Sequence, residues 1–416
     1  MAGILVCIIG AILVSSAQQT LGKVEVTNFT RHAYGAGNQN WAITADANGR
    51  LYIANNEGLL TYNGTNWQLY PVPNKTILRC ISFGEGGKLF AGAQDELGYY
   101  APDRAGRLVY TSLKNLLPET ERTFADIWDI EINTDGVFFR ATDKIFRLHN
   151  NTLSVFKPVE SWLALGTHHG KIIAQDRNQG LLEFENNSWH SLVSEQALPA
   201  GFVLTDLLPL QGDTSLVSSA DHGLFTLAGT TLQSFRLANN TEQHFLSLAA
   251  VDEKSFLAGS YANGLLQVTK TGTVQEVYTD RNGLPNNTVR YIKVLNGRNV
   301  WLGLDNGIAT LNCDDAIRHI NPTAFSNGSG YGACIYNNTL HFALSTGLQQ
   351  LPLTQTNDLS KAAGEPQTII SGLTWNVAVI NNQLVAGRDD GFWQVNGQQA
   401  TRISANSGYW RFEKAA

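Results

Sequence analysis

The sequence predicts an all-β fold, a β-propeller of four-stranded blades, and three observations carry that prediction. A glycine-centred motif recurs along the 416 residues at a blade-like period. Every repeat keeps one internal order of apolar runs and turns. No segment of helical periodicity and useful length follows the N-terminal stretch.

The motif opens as NNEGLLTY at Asn55 and returns as QDELGYY at Gln94, RNQGLLEF at Arg177, ADHGLFTL at Ala220 and YANGLLQV at Tyr261. It continues as LDNGIATL at Leu304, LSTGLQQL at Leu344 and RDDGFWQV at Arg388. A further unit, ATDKIFRL at Ala141, has lost the glycine and turns at Asp143-Lys144, which makes nine repeat units. From Gly58 to Gly391 the spacing averages about 42 residues, the period of a propeller blade rather than of an ankyrin or leucine-rich repeat.

Within a unit an apolar run comes first (ILRCISF, IWDIEI, VRYIKVL), then a turn rich in Gly, Asn or Asp, such as DANG at Asp46. A second run (LYIA, SFLAGS, VWLGL) leads to the glycine turn and a third run. Another Asn/Gly turn, such as YNGTNW at Tyr62 or ENNSW at Glu185, leads to a weaker fourth. Turns with positive φ favour Asn and Gly and join antiparallel strands with the correct twist. Each unit therefore reads as a four-stranded meander, strands A to D from the axis outwards, with inner runs apolar on both faces because neighbouring blades cover them.

Seven units place a seven-bladed ring at residues 24–320, and residues 321–416 read as the start of a second, incomplete propeller of two extra blades. Two blades alone cannot cover both their faces, so this pair is expected to be unstable unless packed on the first ring or swapped into it, and a single ring of all nine is the competing geometry. Residues 1–17 read as a signal peptide: an apolar run from Ile4 to Val14, then Ser15 and Ala17 spaced for cleavage. No later run approaches a membrane span, so the chain is expected to be exported.

The formal charge of −6, with no clustered Lys or Arg, argues against nucleic-acid binding. Cys80, Cys313 and Cys334 form no CxxC pair and read as buried thiols. There is no HExxH, GxSxG, P-loop or GxGxxG. His168-His169 sits in a turn, and DANG and NTDG lack the remaining ligands of a calcium loop. No catalytic residue, metal or cofactor is predicted.

Chain direction puts the B–C turns and the longer, varied D–A connections at one end of the ring, where binding usually resides. Residues heading strand A should face the funnel mouth there. The candidates for ligand binding are Asn40, Trp41, Arg79, Asp126, Trp128, Asp206, His244 and Arg290, with Trp162 beside them. Carboxylate, amide, guanidinium and aromatic groups together suit a carbohydrate. Trp67, Trp189, Trp301 and Trp393 read as blade packing.

One unit names a family by resemblance. NGLPNNTVRYIKVLNGRNVWLGLDNGIATL, from Asn282, closely resembles the two-component regulator propeller repeat: Gly283-Leu284-Pro285, Asn287, Val289, Ile292, Gly297, Trp301, Gly303, Asp305 and Gly307 fill its hallmark places. Val300 and Ile308 replace the usual leucines. AGNQNWAI at Ala36, YIANNEGLLTYNGTNWQLYPVPN at Tyr52 and FADIWDIE at Phe124 resemble the periplasmic sensor halves of Bacteroidetes-type regulators. There, tandem propellers precede a triple-tyrosine domain, a membrane helix and a kinase or helix-turn-helix output.

Such regulators carry about fourteen repeats, and these later domains are not found here, so the chain resembles the front of a sensor, cut short. The resemblance implies a non-catalytic sensor with a small glycan or protein ligand, an inner-membrane anchor and a homodimer. An exported propeller enzyme, a lyase or glycoside-active protein working at the funnel mouth, is the alternative.

Overall fold

Asn-Asn pairs fold the repeats back on themselves. Asn150 and Asn151 (φ 47° and 60°) and Asn186 and Asn187 (φ 52° and 63°) make C–D turns in which both central residues have positive φ. Gly58, at φ 128°, starts a strand C so close to its neighbour that a Cβ there would lie 2.6 Å from the Tyr70 carbonyl oxygen. The computed structural model describes residues 24–238, 244–313, 315, 317, 328–353 and 366–412.

The described residues form nine four-stranded antiparallel sheets, one per repeat unit. Blade one runs Asn40–Ala45, Leu51–Asn55, Gly58–Tyr62 and Trp67–Tyr70. The inner strands of blades two to seven are Leu78–Phe83, Asp129–Asn133, Trp162–His168, Leu204–Pro209, Phe245–Ala250 and Val289–Leu295. These seven inner strands pack each against the next, and the seventh packs back on the first.

The seventh blade takes its outer strand from the other end of the chain. Val26–Phe29 pairs antiparallel with Ile308–Asn312, Val26 opposite Leu311 and Phe29 opposite Ile308. Phe29 then stacks on Trp301 at 5.6 Å. A four-residue helix, Arg31–Tyr34, carries the chain from this strand into blade one. Neither the closing strand nor the helix was apparent in the repeat pattern.

By contact the chain divides into two units, Val24–Ala316 and, among the described residues of the other, Ile317 onward. In the ring, each blade-to-blade interface has its own apolar cluster. One joins blades three and four around Phe138, Ile145, Leu165 and Leu182; another joins blades seven and one around Ile308, Ile43, Ile53 and Leu60. The second unit has two blades, with inner strands Gly330–Tyr336 and Thr374–Ile380. They share one cluster, Ala343, Leu348, Val377, Leu384, Ala386 and Val395.

Among the described residues no helix is long and apolar enough to cross a membrane. Cys80 and Cys313 are buried and Cys334 half-buried, and among the described residues none of the three is in a disulfide. Burial raises the Cys80 thiol well above its ordinary range, which leaves it unreactive.

Candidate functional site

A β-bulge near the start of the inner strand sets the chemistry of the funnel mouth. The A–B register skips a residue between Asn40 and Ala42, Leu78 and Cys80, Leu204 and Asp206, Phe245 and Ser247, and Val289 and Tyr291. A bulge leaves one residue outside the ladder and re-aims its side chain. The residues so displaced are Trp41, Arg79, Thr205, Leu246 and Arg290. Blade three reaches the same arrangement without a regular strand there: the Trp128 N–H donates to the Arg140 carbonyl at 2.8 Å.

All six residues line one cavity of about 280 Å³, and Asp129, Glu131, Asp206, Ser247 and Tyr291 form part of its deeper wall. The fourth blade's displaced residue, Leu163, lines a neighbouring cleft of about 210 Å³ with Arg177, Asn178 and Phe202. The mouth is therefore two-sided. Blades seven, one, two and three present Arg290, Trp41, Arg79 and Trp128; blades four to six present Leu163, Thr205 and Leu246.

On the first side the groups interleave. The Arg79 Cζ lies 4.1 Å from the Trp41 ring centroid and 4.5 Å from that of Trp128, while the Arg290 Cζ lies 4.1 Å from Trp41. Each such contact contributes about 0.5–2 kcal/mol, depending on desolvation. Arg79 donates through Nη2 to Asp126 at 3.0 Å. Arg290 donates through Nε to Asp305 at 2.7 Å. The Trp41 indole N–H donates to Asn56 Oδ1 at 2.7 Å, and Gln39 links Asn56 to Asp305 at 3.0 and 2.6 Å. These fixed partners hold the side chains in place before any ligand arrives.

Deeper in, two carboxylates are kept from ionising normally. Burial pushes Glu131 up to about 8, against the donation of the Thr167 hydroxyl at 2.6 Å, with the charges of Asp129 and Asp206 adding to the rise. Burial pushes Asp206 up to about 7, although the N–H groups of Leu207 and Leu248 donate to it at 2.7 and 2.8 Å. The Leu248 bond joins blade five to blade six. Asp129 makes the matching link from blade three to blade four, accepting from the Leu165 N–H at 3.1 Å, and is paired with Arg140.

Of the residues named from sequence, Trp41, Arg79, Trp128, Asp206 and Arg290 meet in the cavity. Asp126 stands behind Arg79 as its partner. Asn40 does not reach the mouth: it is fully buried, donates to the carbonyls of Asn38 and Gly307 at 3.1 and 2.9 Å and accepts from Asn55 at 2.9 Å. It precedes the bulge, so its side chain ties blade one to blade seven. His244 also lies away from the cavity, its Nδ1 3.0 Å from the Ala220 carbonyl and 3.1 Å from Asp221. Trp162 precedes the fourth bulge and is buried as blade packing.

Sequence reasoning missed Asp129, Glu131, Thr205 and Ser247. The signal was available: each follows the strand head at the bulge or on the axial side just after it. His168 is buried against Ser215 at 2.8 Å, where burial lowers its pKa. Among the described residues no group of three or more His, Cys, Asp or Glu is placed to hold a metal ion.

No family model matches the chain, and no curated protein matches it. Solved structures do. The extracellular domain of a putative hybrid two component system from B. thetaiotaomicron matches with a TM-score of 0.68 at 15% identity, over 91% of this chain and 54% of that one. A second such domain from B. thetaiotaomicron matches with a TM-score of 0.56 at 18% identity, over 91% and 53%. Virginiamycin B lyase from Staphylococcus aureus matches with a TM-score of 0.54 at 12% identity, over 70% and 99%. At these identities the likeness shows a shared β-propeller fold, and the chain spans about half the length of the two-component neighbours it matches.

Proposed function

We propose that the chain is the ligand-sensing, extracytoplasmic part of a two-component or transcriptional regulator, binding a small ligand at the funnel mouth without turning it over. One observation carries this reading. Residues displaced by the same bulge in blades seven, one, two, five and six converge on one cavity, and Arg79, Arg290 and Trp41 among them are already held by Asp126, Asp305, Asn56 and Gln39. Such preorganisation favours binding. The neighbours that are extracellular domains of two-component systems support a sensor role, and a glycan is the ligand class to test first.

A second reading, a propeller lyase or glycoside-active enzyme, is favoured by Glu131 and Asp206. Carboxylates pushed up to about 8 and 7 in one cavity are the kind that act as general acids. Incubation with an oligosaccharide panel separates the two readings. Saturable heat of binding with unchanged oligosaccharide supports the sensor, whereas cleavage products that vanish in Glu131→Gln overturn it.

A further inference from the structure

We infer that the ligand received at the funnel mouth carries an oxyanion, a carboxylate or sulfate, taken up by Arg79 and Arg290. The inference rests on the mouth being the binding site and deepens that reading by naming what the ligand must bear.

The first argument is what the mouth withholds. A neutral pyranose binds tryptophan by laying its C–H face on the indole. Two guanidinium carbons lie 4.1 Å from the Trp41 ring centroid, one from each neighbouring blade. Two groups at that separation cannot share one face, so both faces of Trp41 are covered. Trp128 has Arg79 over its ring at 4.5 Å and the Trp41 ring at 6.1 Å, nearly perpendicular. The aromatic groups act here as supports for cations.

The second argument is what the mouth offers. A guanidinium presents its N–H groups in its own plane, where two oxygens of a carboxylate or sulfate are received as a pair. Asp305 occupies Nε and Nη2 of Arg290 through a single oxygen, and Asp126 occupies Nη2 of Arg79. These pairings fix the orientation of both guanidiniums while leaving Nη1 of each with no partner among the described residues. Arg79 Nε is likewise buried without one. The opposite arc, Thr205 and Leu246, carries no charge and suits the body of the ligand. Deeper in, burial holds Glu131 and Asp206 toward their neutral forms, which reduces repulsion of an anion near neutral pH.

The test is calorimetry on the full chain with three sets of tetrasaccharides: hexuronates, 6-sulfated hexosamines and neutral hexoses. The expected result is saturable binding of the hexuronate or the sulfated set, whichever carries the matching oxyanion, at least tenfold tighter than the neutral set and weakened by salt. Arg290→Gln should lower that affinity at least tenfold, with Arg290→Lys intermediate and unchanged thermal unfolding showing that both variants fold. Neutral saccharides binding as tightly as anionic ones, with Arg290→Gln unaffected but Trp128→Ala impaired, would overturn the oxyanion while leaving the mouth as the site. Failure of both anionic sets overturns it too. Anion binding that neither Arg290→Gln nor Trp128→Ala changes would place the site elsewhere and overturn both readings.

Discussion

The ring and the two-blade unit are built on one plan and differ in closure. In both, strand A bulges at the same place: Trp375 is displaced between Thr374 and Asn376 much as Trp41 is between Asn40 and Ala42. The Trp375 indole donates to Asp389 at 2.6 Å as that of Trp41 donates to Asn56, the matching residue of the glycine turn. Yet the inner strand of the first extra blade leaves Tyr331 and Ile335 exposed, whereas the inner strands of the ring expose no large apolar side chain. Among the described residues Val379, Ile403 and Trp410 are exposed in the two-blade unit as well. A blade's apolar faces are covered by its neighbours, so closing seven blades gives seven interfaces and two blades give one. The same residue that is wedged between guanidiniums in a closed ring stands among exposed rings in an open pair, with Tyr331 at 4.8 Å and Trp410 at 6.4 Å from Trp375.

The largest effect should come from cutting a ring interface. Phe138→Ala removes a fully buried ring between blades three and four and should cost the ring about 3–5 kcal/mol. Denaturant unfolding should show this loss in the ring transition and leave that of the two-blade unit in place; one merged transition would break the distinction. Next comes the closure. Phe29→Ala strips the closing strand of its stack on Trp301 and its edge contact with Trp67, and should cost about 2 kcal/mol, less than a fully buried Phe. Hydrogen exchange should quicken first in Val26–Phe29 and Ile308–Asn312.

pH should separate the two units further. Glu131 and Asp206 have folded-state pKa values near 8 and 7, above their ordinary ones. Between the unfolded and folded values the folded ring holds more protons than the unfolded chain, so ring stability falls as pH rises from about 4 through 8. Glu131→Gln should therefore raise the ring's unfolding temperature at pH 8 and leave it nearly unchanged at pH 4. Equal gains at both would remove the linkage. The smallest effect belongs to the exposed apolar residues: Val379→Thr should move stability by no more than about 0.5 kcal/mol but reduce light scattering on concentration.

The propeller was legible because its turns are local. NNEG, RNQG and RDDG announce a strand end and a positive φ within four residues, and the A-to-D order follows from chain direction alone. The closing strand was not. VTNF at Val26 is four residues, the middle two exposed and the outer two half-buried, whose partner lies near residue 310, and nothing nearby in sequence names that partner. The mouth was legible in part for a similar reason. Asn40 and Trp41 are adjacent, but a bulge separates a buried interblade tie from a residue lining the cavity, and register depends on the neighbouring strand. Asp129 and Glu131 looked like ordinary strand polarity, since only the ring brings them beside Asp206.

The molecule thus holds two aromatic clusters built on the same bulge, the guanidinium-lined mouth of the ring and the open Tyr331, Trp375 and Trp410 cluster. A crystal structure of the chain with a bound acidic oligosaccharide decides between them. The ligand is expected in the 280 Å³ cavity, its oxyanion within hydrogen-bond distance of Arg79 and Arg290 and its bonds intact. A saccharide stacked on Trp410 with an empty ring mouth would contradict the account.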